Sequence, residues 1–550
     1  MTLTEIKGLF FLDQHGCAKN KVDGELLIHR LTLMGLTQTF EPEKADFIIV
    51  NSCGFIESAK KESLDAVYGA RSAYPNAKIL LTGCLAERYA QLLKTELPEA
   101  DGIFGNGDLS KIDFVVEQMF KGQRPVVVPE QQGVCCGDRS VLLNFRGSAY
   151  VKITEGCNNC CSFCAIPLIR GQLRSRPAAA IIAEIRALLE KGVYEINLIG
   201  QDSAAWGTGR NDNVFGEGPE PLAHINEAGV FEGSEKKSAL CRLLEMISAL
   251  PGKFRLRLLY IHPDHFNRDI LPVIKSDSRL LPYFDIPFQS GDDKIIRSMN
   301  RIGTAALYEK LIQDIRTILP EAALRTTIMT GFPGETDESF ENTFRFLESI
   351  QVDWSGCFEY SREEDTPAYD FKNRVSKKTA AKRAERLVQL QAEITRKRLA
   401  MHVNQDFDVL IEEVLDSKED DSCKFAIGRA WFQAPEVDGS VVVRYDAARE
   451  FTEHSPGIGF IARFAIHLAV EHHYRVARYH QFIILDYLAV GIGLAVGDIL
   501  RYHLGGQIVR ITLIYTLEHH HFKLHTQVGK QFAASRRVAA EYYSVFRKIF

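Results

Sequence analysis

The sequence predicts an α/β protein of several domains: an N-terminal α/β domain, then an α/β barrel, then a small C-terminal β domain. Three observations predict it. The chain has 550 residues, more than one hydrophobic core ordinarily spans, so three or four domains are expected. Short apolar runs alternate with amphipathic stretches in two successive series, which is the order of parallel sheets with helices on their faces. Beyond a basic helix-forming stretch the pattern changes to strands and turns. Hydrophobic residues at 46% and charged residues at 25% exclude a disordered or collagen-like chain. The formal net charge of -5, from 66 basic and 71 acidic side chains, excludes a uniformly basic nucleic-acid binder and leaves a local basic patch open.

Residues 1–125 form the first series. LFFLDQ (9–14), DFIIVNSC (46–53), KILLTGC (78–84) and GIFGNG (102–107) read as short buried strands, with amphipathic stretches such as DGELLIHRLTLMG (23–35) between them. Cys17, Cys53 and Cys84 fall at or near three strand ends. Loops that follow parallel strands share one sheet edge, so cysteines this far apart in sequence can converge there. A polar linker follows at about 121–145, with Cys135 and Cys136.

The second series occupies 145–375. Its strands are AYVKITEG (149–156), YEINLIGQD (194–202), FRLRLLYI (254–261), YFDIPFQS (283–290), ALRTTIMTG (323–331) and DWSGCFEYS (353–361). Six βα repeats suggest a full or partial barrel with its site at the carboxyl ends of the strands. The span 206–237, with six glycines, reads as a surface insertion. Residues 376–402 form a basic linking helix, and 403–455 a small β domain that includes DFDVLIEEVL, GRAWFQAPEVDG and SVVVRYD.

The tail, 456–550, has no functional reading. Residues 451–550 hold ten of the sixteen histidines, and His519–His521 could bind metal or be scattered surface residues. The run 482–497 contains Asp486 and is shorter than the roughly 20 residues of a membrane span. It reads as a buried segment, and no membrane is expected. The start, MTLTEIKGLFFLDQHGC, lacks a charged region followed by a long apolar run, which points to the cytoplasm. Twelve cysteines in a reducing compartment are more often metal ligands or catalytic groups than disulfides.

The sharpest signal is GCNNCCSFCAIP (156–167). Cys157, Cys161 and Cys164 give C-x3-C-x2-C directly after a strand. Three thiolates can hold three irons of a 4Fe–4S cluster and leave the fourth iron open to a small molecule. A zinc knuckle would need a second ligand pair that does not follow at zinc-ribbon spacing. Spacing alone leaves Cys160 and Cys161 as alternatives for the middle ligand.

This motif on the first strand of an α/β barrel resembles the radical S-adenosylmethionine superfamily. GCAKNKVDGE (16–25), NSCGFIESAK (51–60), TGCLAERY (82–89), AYVKITEGCNNCCSFCAIPLIRGQLRSRP (149–177), DIPFQSGDD (285–293), RTTIMTGFPGET (325–336) and YSREEDTPAYDF (360–371) resemble, in that order, the methylthiotransferases within it. The resemblance covers residues 8 to about 450. It implies an N-terminal cluster domain, a radical barrel that is a partial α/β barrel, and a TRAM β domain. It assigns one 4Fe–4S cluster to Cys157, Cys161 and Cys164, with Cys160 an extra thiol, and a second, auxiliary 4Fe–4S cluster to Cys17, Cys53 and Cys84. It implies reductive cleavage of S-adenosylmethionine, hydrogen abstraction from an unactivated carbon, and transfer of a methylthio group from the auxiliary cluster. Flavodoxin or ferredoxin is the kind of electron donor implied. The other cysteines (Cys135, Cys136, Cys241, Cys357 and Cys423) match no ligand motif.

Supporting residues are read from position. Gln201, Asp202 and Gln289 sit at strand ends and could contact cofactor. The GFPGE run, from Gly331 to Glu335, offers backbone donors and a tight turn to an adenosyl or carboxylate group, or is a plain βα turn. Arg170, Arg174 and Arg176 form a basic wall near the cluster, or are solvated.

The resemblance leaves two substrates: an adenosine in transfer RNA, or an aspartate β-carbon in ribosomal protein S-twelve of the small subunit. Residues 404–450 hold twelve acidic and five basic side chains, a net of about -7. Such a surface repels phosphate and attracts a basic ribosomal protein. FQAPEVDG (432–439) and TPAYDF (366–371) also look more like the ribosomal-protein branch. The basic helix 376–402 is the feature that favours transfer RNA. A non-catalytic iron–sulfur scaffold or electron carrier is the alternative of a different class.

Overall fold

A computed structural model describes residues 6–145, 147–222, 224–225, 231–232, 237–415, 423–446, 461–465, 499–504 and 507–512. Its residues divide into two units: 1–16, 26–130 and 487–550 in the first, 17–25 and 131–486 in the second.

The first unit is built from β1 (Gly8–Gln14), the later part of α1 (Ala18–Leu33), β2 (Leu36–Gln38), β3 (Phe47–Ser52), α2 (Glu57–Ala73), β4 (Lys78–Gly83), α3 (Cys84–Glu96), β5 (Gly102–Phe104), α4 (Ile112–Phe120) and β6 (Val126–Val127). The sheet is parallel, in the order β2-β1-β3-β4-β5-β6. Every residue of β3 is buried, which explains its unbroken apolar run: parallel strands are covered on both faces. GIFGNG is strand only as far as Phe104.

The second unit opens with residues 17–25, the start of α1 among them, and continues from the linker. β7 (Ser148–Lys152) leads into β8 (Thr154–Glu155), the cysteine loop, α5 (Ile166–Arg170) and β9 (Arg174–Ser175). AYVKITEG is therefore not one strand: β8 leaves the main sheet and pairs antiparallel with β9. Then come α6 (Ala178–Glu190), β10 (Glu195–Ile199), the short pair β11 (His224–Ile225) and β12 (Phe231–Glu232), α7 (Ala239–Ser248), β13 (Arg255–Leu258), α8 (Ile270–Ser276), β14 (Leu280–Asp285), α9 (Asp293–Ser298), α10 (Ala305–Ile318), β15 (Ala323–Thr330), α11 (Asp337–Ile350) and β16 (Trp354–Glu359). β7, β10, β13, β14, β15 and β16 pair in chain order and in parallel, and among the described residues the first and last do not pair, so the barrel is partial.

Helix starts follow capping chemistry. The Thr336 hydroxyl accepts from the Ser339 amide, and the Ser339 hydroxyl accepts from the Thr336 amide, closing a reciprocal cap on α11. Ser376 caps α12 (Lys377–Ala400), the linking helix, by accepting from the Thr379 amide. The span 206–237 is not simply a surface insertion. Trp206 is fully buried in the barrel core with Val214 nearby in the same cluster, and the Trp206 indole N–H donates to the Arg176 carbonyl at 3.0 Å. A large indole with a satisfied N–H is worth more inside than on a loop surface.

The β domain comprises β17 (Asp406–Leu415), β18 (Cys423–Arg429), β19 (Val441–Asp446) and β20 (Ile461–Ala465), antiparallel in the order β19-β18-β17-β20. The sequence reading placed strand character in GRAWFQAPEVDG; β18 instead ends at Arg429, and WFQAPEVDG is a loop. That loop has its own scaffold: the Phe432 ring stacks on the His402 ring at 4.2 Å, and the Ala434 amide donates to Asp438 Oδ2 at 2.8 Å. β21 (Ile499–Leu504) and β22 (Gln507–Thr512) pair antiparallel. The run 482–497 and His519–His521 lie outside the described residues. Among the described residues no helix is long and apolar enough to cross a membrane.

Candidate active site

The cysteine loop leaves the carboxyl end of the first barrel strand. It is pinned along its length. Gly156 has φ +74°, and a Cβ there would lie 2.1 Å from the Gln172 carbonyl, so only glycine fits. The Cys157 amide donates to the Gly171 carbonyl at 3.1 Å, and the Leu173 amide donates to Asn158 Oδ1 at 3.0 Å. Asn300 Nδ2 donates to the Cys160 carbonyl at 2.9 Å, and the Ser162 amide to the Met299 carbonyl at 3.1 Å. The loop is thus held by the turn between α5 and β9 and by the turn after α9.

The four thiols differ in surroundings. Cys161 is buried, Cys157 and Cys164 are half-buried, and Cys160 is exposed on a left-handed residue with φ 50°. Burial pushes the Cys157 thiol up, with the Asp202 charge adding to it. Burial also raises Cys164, to about 12, with Cys161 the next cause. Burial raises Cys161 too, against the pull of Arg301. Cys157, Cys161 and Cys164 therefore act on one another's charge from inside, while Cys160 faces out. Among the described residues no three His, Cys, Asp or Glu side chains gather as ligands of a single ion would. A 4Fe–4S cluster takes one cysteine per iron and asks for thiols spread over several corners. Three pinned, inward thiols suit that donor set, and the chemistry would be metal replacing the protons that burial otherwise retains.

Buried polar residues surround the loop. His262 Nε2 lies 3.8 Å from Cys161 Sγ. His262 Nδ1 accepts from the Asp264 amide at 3.3 Å, which assigns the ring proton to Nε2 and aims it at the sulfur. Burial, then the charges of Arg301 and His265, push His262 down to about 3, so the ring is neutral. Asp202 is buried, and burial pushes it up; the His265 hydrogen bond at 2.7 Å, and then the His265 charge, outweigh this and hold it below the usual range. Asp202 also accepts from Asn159 Nδ2 at 3.0 Å, which ties it to the cysteine loop. Sequence reasoning missed His262, His265 and Arg301. Their signal was their place in the loops after β13 and α9, and isolated histidines carry little weight.

A charge square closes the same end. Lys152 Nζ meets Asp23 Oδ1 at 2.6 Å and Glu155 Oε2 at 2.8 Å; Arg170 Nη1 meets Asp23 Oδ2 at 2.7 Å and Glu155 Oε1 at 2.8 Å. Burial pushes Glu155 up, yet Lys152 and Arg170 hold it at about 2. Arg170 and Arg176 are neither a free basic wall nor solvated: Arg170 belongs to the square, and Arg176 pairs with Glu184 at 2.5 Å, buried. Arg174 donates to the Gly133 carbonyl at 2.6 Å.

The other expected residues fall as follows. Gln201 Nε2 donates to Glu155 Oε1 at 3.3 Å, and its buried Oε1 has no partner among the described residues. Gln289 is buried at the carboxyl end of its strand segment with φ 70°, a left-handed non-glycine of the kind that clusters at functional sites. Gly331 has φ +78°, and a Cβ there would lie 2.5 Å from Ala380 Cβ. Its amide donates to Glu335 Oε1 at 3.0 Å, and Arg383 of α12 pairs with that same oxygen. Burial raises Glu335. The GFPGE turn thus fastens β15 to the linking helix through Glu335, and its glycine is required by close packing.

Lys19 was not singled out from the sequence. It lies in the first turn of α1, is buried, and sets its Nζ 3.1 Å from the centroid of the Tyr260 ring. Tyr260 follows β13 with a left-handed φ of 61°. Cys17 is exposed, and its carbonyl accepts from the Lys21 amide at 3.0 Å. In the first unit, Cys53 directly follows β3 and Cys84 begins α3 directly after β4. A Cβ on Gly54 would lie 2.7 Å from the Cys84 carbonyl and the Leu85 amide, so the two loops touch. Asn106 Nδ2 donates to Cys84 Sγ at 3.4 Å. Cys241 is a core thiol that donates to the Asp269 carbonyl at 3.4 Å; the Cys423 side chain lies outside the described residues.

Comparison with known proteins gives matching family models along the chain: "Uncharacterized protein family UPF0004" over residues 9–105, "Radical SAM superfamily" over 151–347 and "TRAM domain" over 403–470. The "Ribosomal protein uS12 methylthiotransferase RimO" of Treponema denticola is 50% identical over 459 residues, covering 81% of this chain and 95% of its own. The proteins of the same name from Thermotoga sp. and Desulforamulus reducens are 38% and 36% identical, covering 78% and 83% of this chain and 92% and 96% of their own. Among solved structures, the radical S-adenosylmethionine methyltransferase TsrM of Kitasatospora setae matches with TM-score 0.46 and 12% identity, over 66% of this chain and 76% of that one. Three pinned thiols at the mouth of a parallel partial barrel, the three domain matches and half-identity across nearly a whole relative agree: the chain belongs to the RimO family of radical S-adenosylmethionine methylthiotransferases, enzymes that use S-adenosylmethionine and a 4Fe–4S cluster.

Proposed function

We propose that the chain adds a methylthio group to the β-carbon of an aspartate in small-subunit ribosomal protein uS12. One 4Fe–4S cluster is held by Cys157, Cys161 and Cys164, and a second by Cys17, Cys53 and Cys84. The domains are 1–125, 145–375, the helix 376–402 and 403–455, with 456–550 an appended tail. The observation that carries this reading is the inward set Cys157, Cys161 and Cys164 on a loop fixed at the carboxyl end of β7. When bound, the cluster and S-adenosylmethionine supply the radical chemistry. The chain's own residues orient and exclude water. Asp202 fixes His265 and Asn159, and neutral His262 turns its N–H toward Cys161. The unpartnered Gln201 Oε1 and the left-handed Gln289 stand ready for cofactor contact. The electron donor is of the flavodoxin or ferredoxin kind, and the compartment is the cytoplasm, where ribosomes are assembled.

The choice of a protein substrate over transfer RNA is supported by how the basic helix spends its charge. Arg383, Arg386 and Arg398 of α12 pair with Glu335, Glu341 and Asp353, which leaves them little to offer a phosphate. The test is anaerobic. Protein reconstituted with iron and sulfide receives reductant, S-adenosylmethionine and, in parallel, a peptide carrying the target aspartate loop of uS12 or unmodified transfer RNA. Mass spectrometry then looks for hydrogen replaced by a methylthio group. Modified peptide and untouched RNA are expected; modified RNA would overturn the substrate.

A further inference from the structure

Lys19 is a buried cation of the barrel mouth with no counter-ion in direct contact among the described residues; Arg301, likewise without an ion pair there, has backbone carbonyls of Pro287 and Phe288 as acceptors instead. Lys152 and Arg170 each meet two carboxylates. Lys19 is only 8% exposed, yet among the described residues no carboxylate oxygen lies within 4.0 Å of its Nζ. What holds it is the face of the Tyr260 ring at 3.1 Å. An aromatic face attracts a desolvated ammonium but replaces only part of its lost hydration. Burial pushes the Lys19 ammonium down from its ordinary value; the more distant charges of Cys17, Asp285 and Glu155 oppose that, and Arg170 adds to it. Two of these lie at strand ends, Glu155 at the end of β8 and Asp285 at the end of β14, and Tyr260 itself follows β13. Asp285 is already engaged elsewhere, near Arg325 Nε at 3.7 Å and accepting from the Tyr260 amide at 3.4 Å.

We propose that the Lys19 ammonium, seated on Tyr260, receives the side-chain carboxylate of the substrate aspartate. This rests on the reading that an aspartate of uS12 is the substrate. The carboxylate would supply the missing counter-ion. Because that carboxylate is bonded to the reacting β-carbon, anchoring it fixes the β-carbon one bond away and leaves the β-hydrogen free to face the cluster loop. A lysine also gives selectivity, since an asparagine at the target position would leave the ammonium buried and unpaired. Tyr260 has the matching role of a positioning residue. Its left-handed backbone turns the ring beneath the ammonium.

The experiment is a binding cycle on the reconstituted full-length protein with S-adenosylmethionine and no reductant. The uS12 loop peptide and the same peptide with its target aspartate changed to asparagine are titrated by fluorescence anisotropy against wild type, Lys19→Met and Tyr260→Leu. Wild type is expected to prefer the aspartate peptide by about tenfold or more, the range of a hydrogen bond to a charged group. Lys19→Met is expected to bind both peptides alike, and Tyr260→Leu to keep part of the preference. A merely structural role would weaken both peptides by the same factor and keep their ratio, and that result overturns the proposal. So does loss of S-adenosylmethionine binding in Lys19→Met with an unchanged peptide ratio. If Lys19→Met does not fold, as judged by its thermal transition and iron content, Tyr260→Leu decides on the same ratio. If wild type itself binds neither peptide, the uS12 reading fails and this proposal with it. If wild type prefers the aspartate peptide and both variants keep that preference, the proposal alone fails.

Discussion

The two ends of the barrel bury charge in opposite ways. At the amino ends of the strands, Glu195 begins β10 and is fully buried. Arg429 of the β domain meets it at 2.7 Å, Arg255 at 3.1 Å and Arg257 at 3.3 Å, and the Ser148 hydroxyl donates to it at 2.9 Å. Glu412 takes the remaining side of Arg429 at 2.6 Å; the Gln433 carbonyl accepts from Arg429, the Arg429 carbonyl from Arg255 and the Trp431 carbonyl from Arg257. Every charge there has an ion-pair partner, with only the Nε atoms of Arg255 and Arg257 left without a hydrogen bond among the described residues, and the arrangement locks the β domain onto the barrel. At the carboxyl ends the pairing is incomplete among the described residues: Lys19 has no counter-ion in contact and Gln201 Oε1 no donor, and Gln289 and Tyr260 hold left-handed backbones. A satisfied network is built for stability, and an unsatisfied one is tolerated where a ligand completes it.

The comparison is sharpened most by removing one group from each end. Cys161→Ala is expected to abolish formation of 5′-deoxyadenosine, a loss of a hundredfold or more, whereas Cys160→Ala retains most of it; liquid chromatography of the reaction products reads both. The reverse ranking would mean that the middle ligand is Cys160. Glu195→Gln is expected to act on stability instead. It leaves three buried arginines facing one carboxylate fewer, and breaking such a network costs about 3–5 kcal/mol. Urea unfolding should show that loss, and a shift below 1 kcal/mol would dissolve the distinction between the two ends. Gln289→Gly relieves a left-handed residue. The strain of a non-glycine residue there is of order 1 kcal/mol, so a gain of up to about 1 kcal/mol is expected, with methylthiolation falling, so that stability and activity move in opposite directions.

The smallest effect is in pH. Burial, opposed by Arg325 and then by the Tyr260 amide and Lys19, leaves the Asp285 carboxyl above its ordinary value. As pH falls toward the ordinary aspartate value of about 3.9, the folded chain takes up that proton before the unfolded chain does. This group's contribution to stability therefore rises on acidification. Glu195 has the opposite sign: burial pushes it up, but Arg429, Arg255 and Arg257 hold it well below the usual range. Its contribution is complete above the ordinary glutamate value of about 4.3 and is lost only as pH falls below that. Asp285→Asn should flatten the first trend and leave the second. Urea midpoints between pH 7 and 4 measure it.

Much of this was legible in sequence because it is local. The C-x3-C-x2-C loop and the apolar run of β3 are each written within a few residues. The parallel sheet and the partial barrel are written in the βα alternation, whereas β2 beside β1 in the first sheet is not. What was not legible depends on long-range pairing. Lys19 and Tyr260 are 241 residues apart by their numbers, and nothing near either one announces the other. Trp206 reads as part of a glycine-rich insertion until its indole is seen inside the core. The acidic count over 404–450 treated Glu412 and Asp438 as surface charge, whereas Glu412 neutralises Arg429 and Asp438 accepts from the Tyr283 hydroxyl at 2.6 Å, both inside. Net charge records composition; only the fold says which charges face a partner.

The central claim is that the aspartate β-carbon reaches the mouth of the barrel beside the cysteine loop. The most direct measurement uses a uS12 loop peptide deuterated at the β-carbon of the target aspartate, with the reduced, reconstituted protein and S-adenosylmethionine. Mass spectrometry should find deuterium in the 5′-deoxyadenosine and a methylthio group in the peptide. Deuterium-free 5′-deoxyadenosine alongside an unchanged peptide would contradict the account.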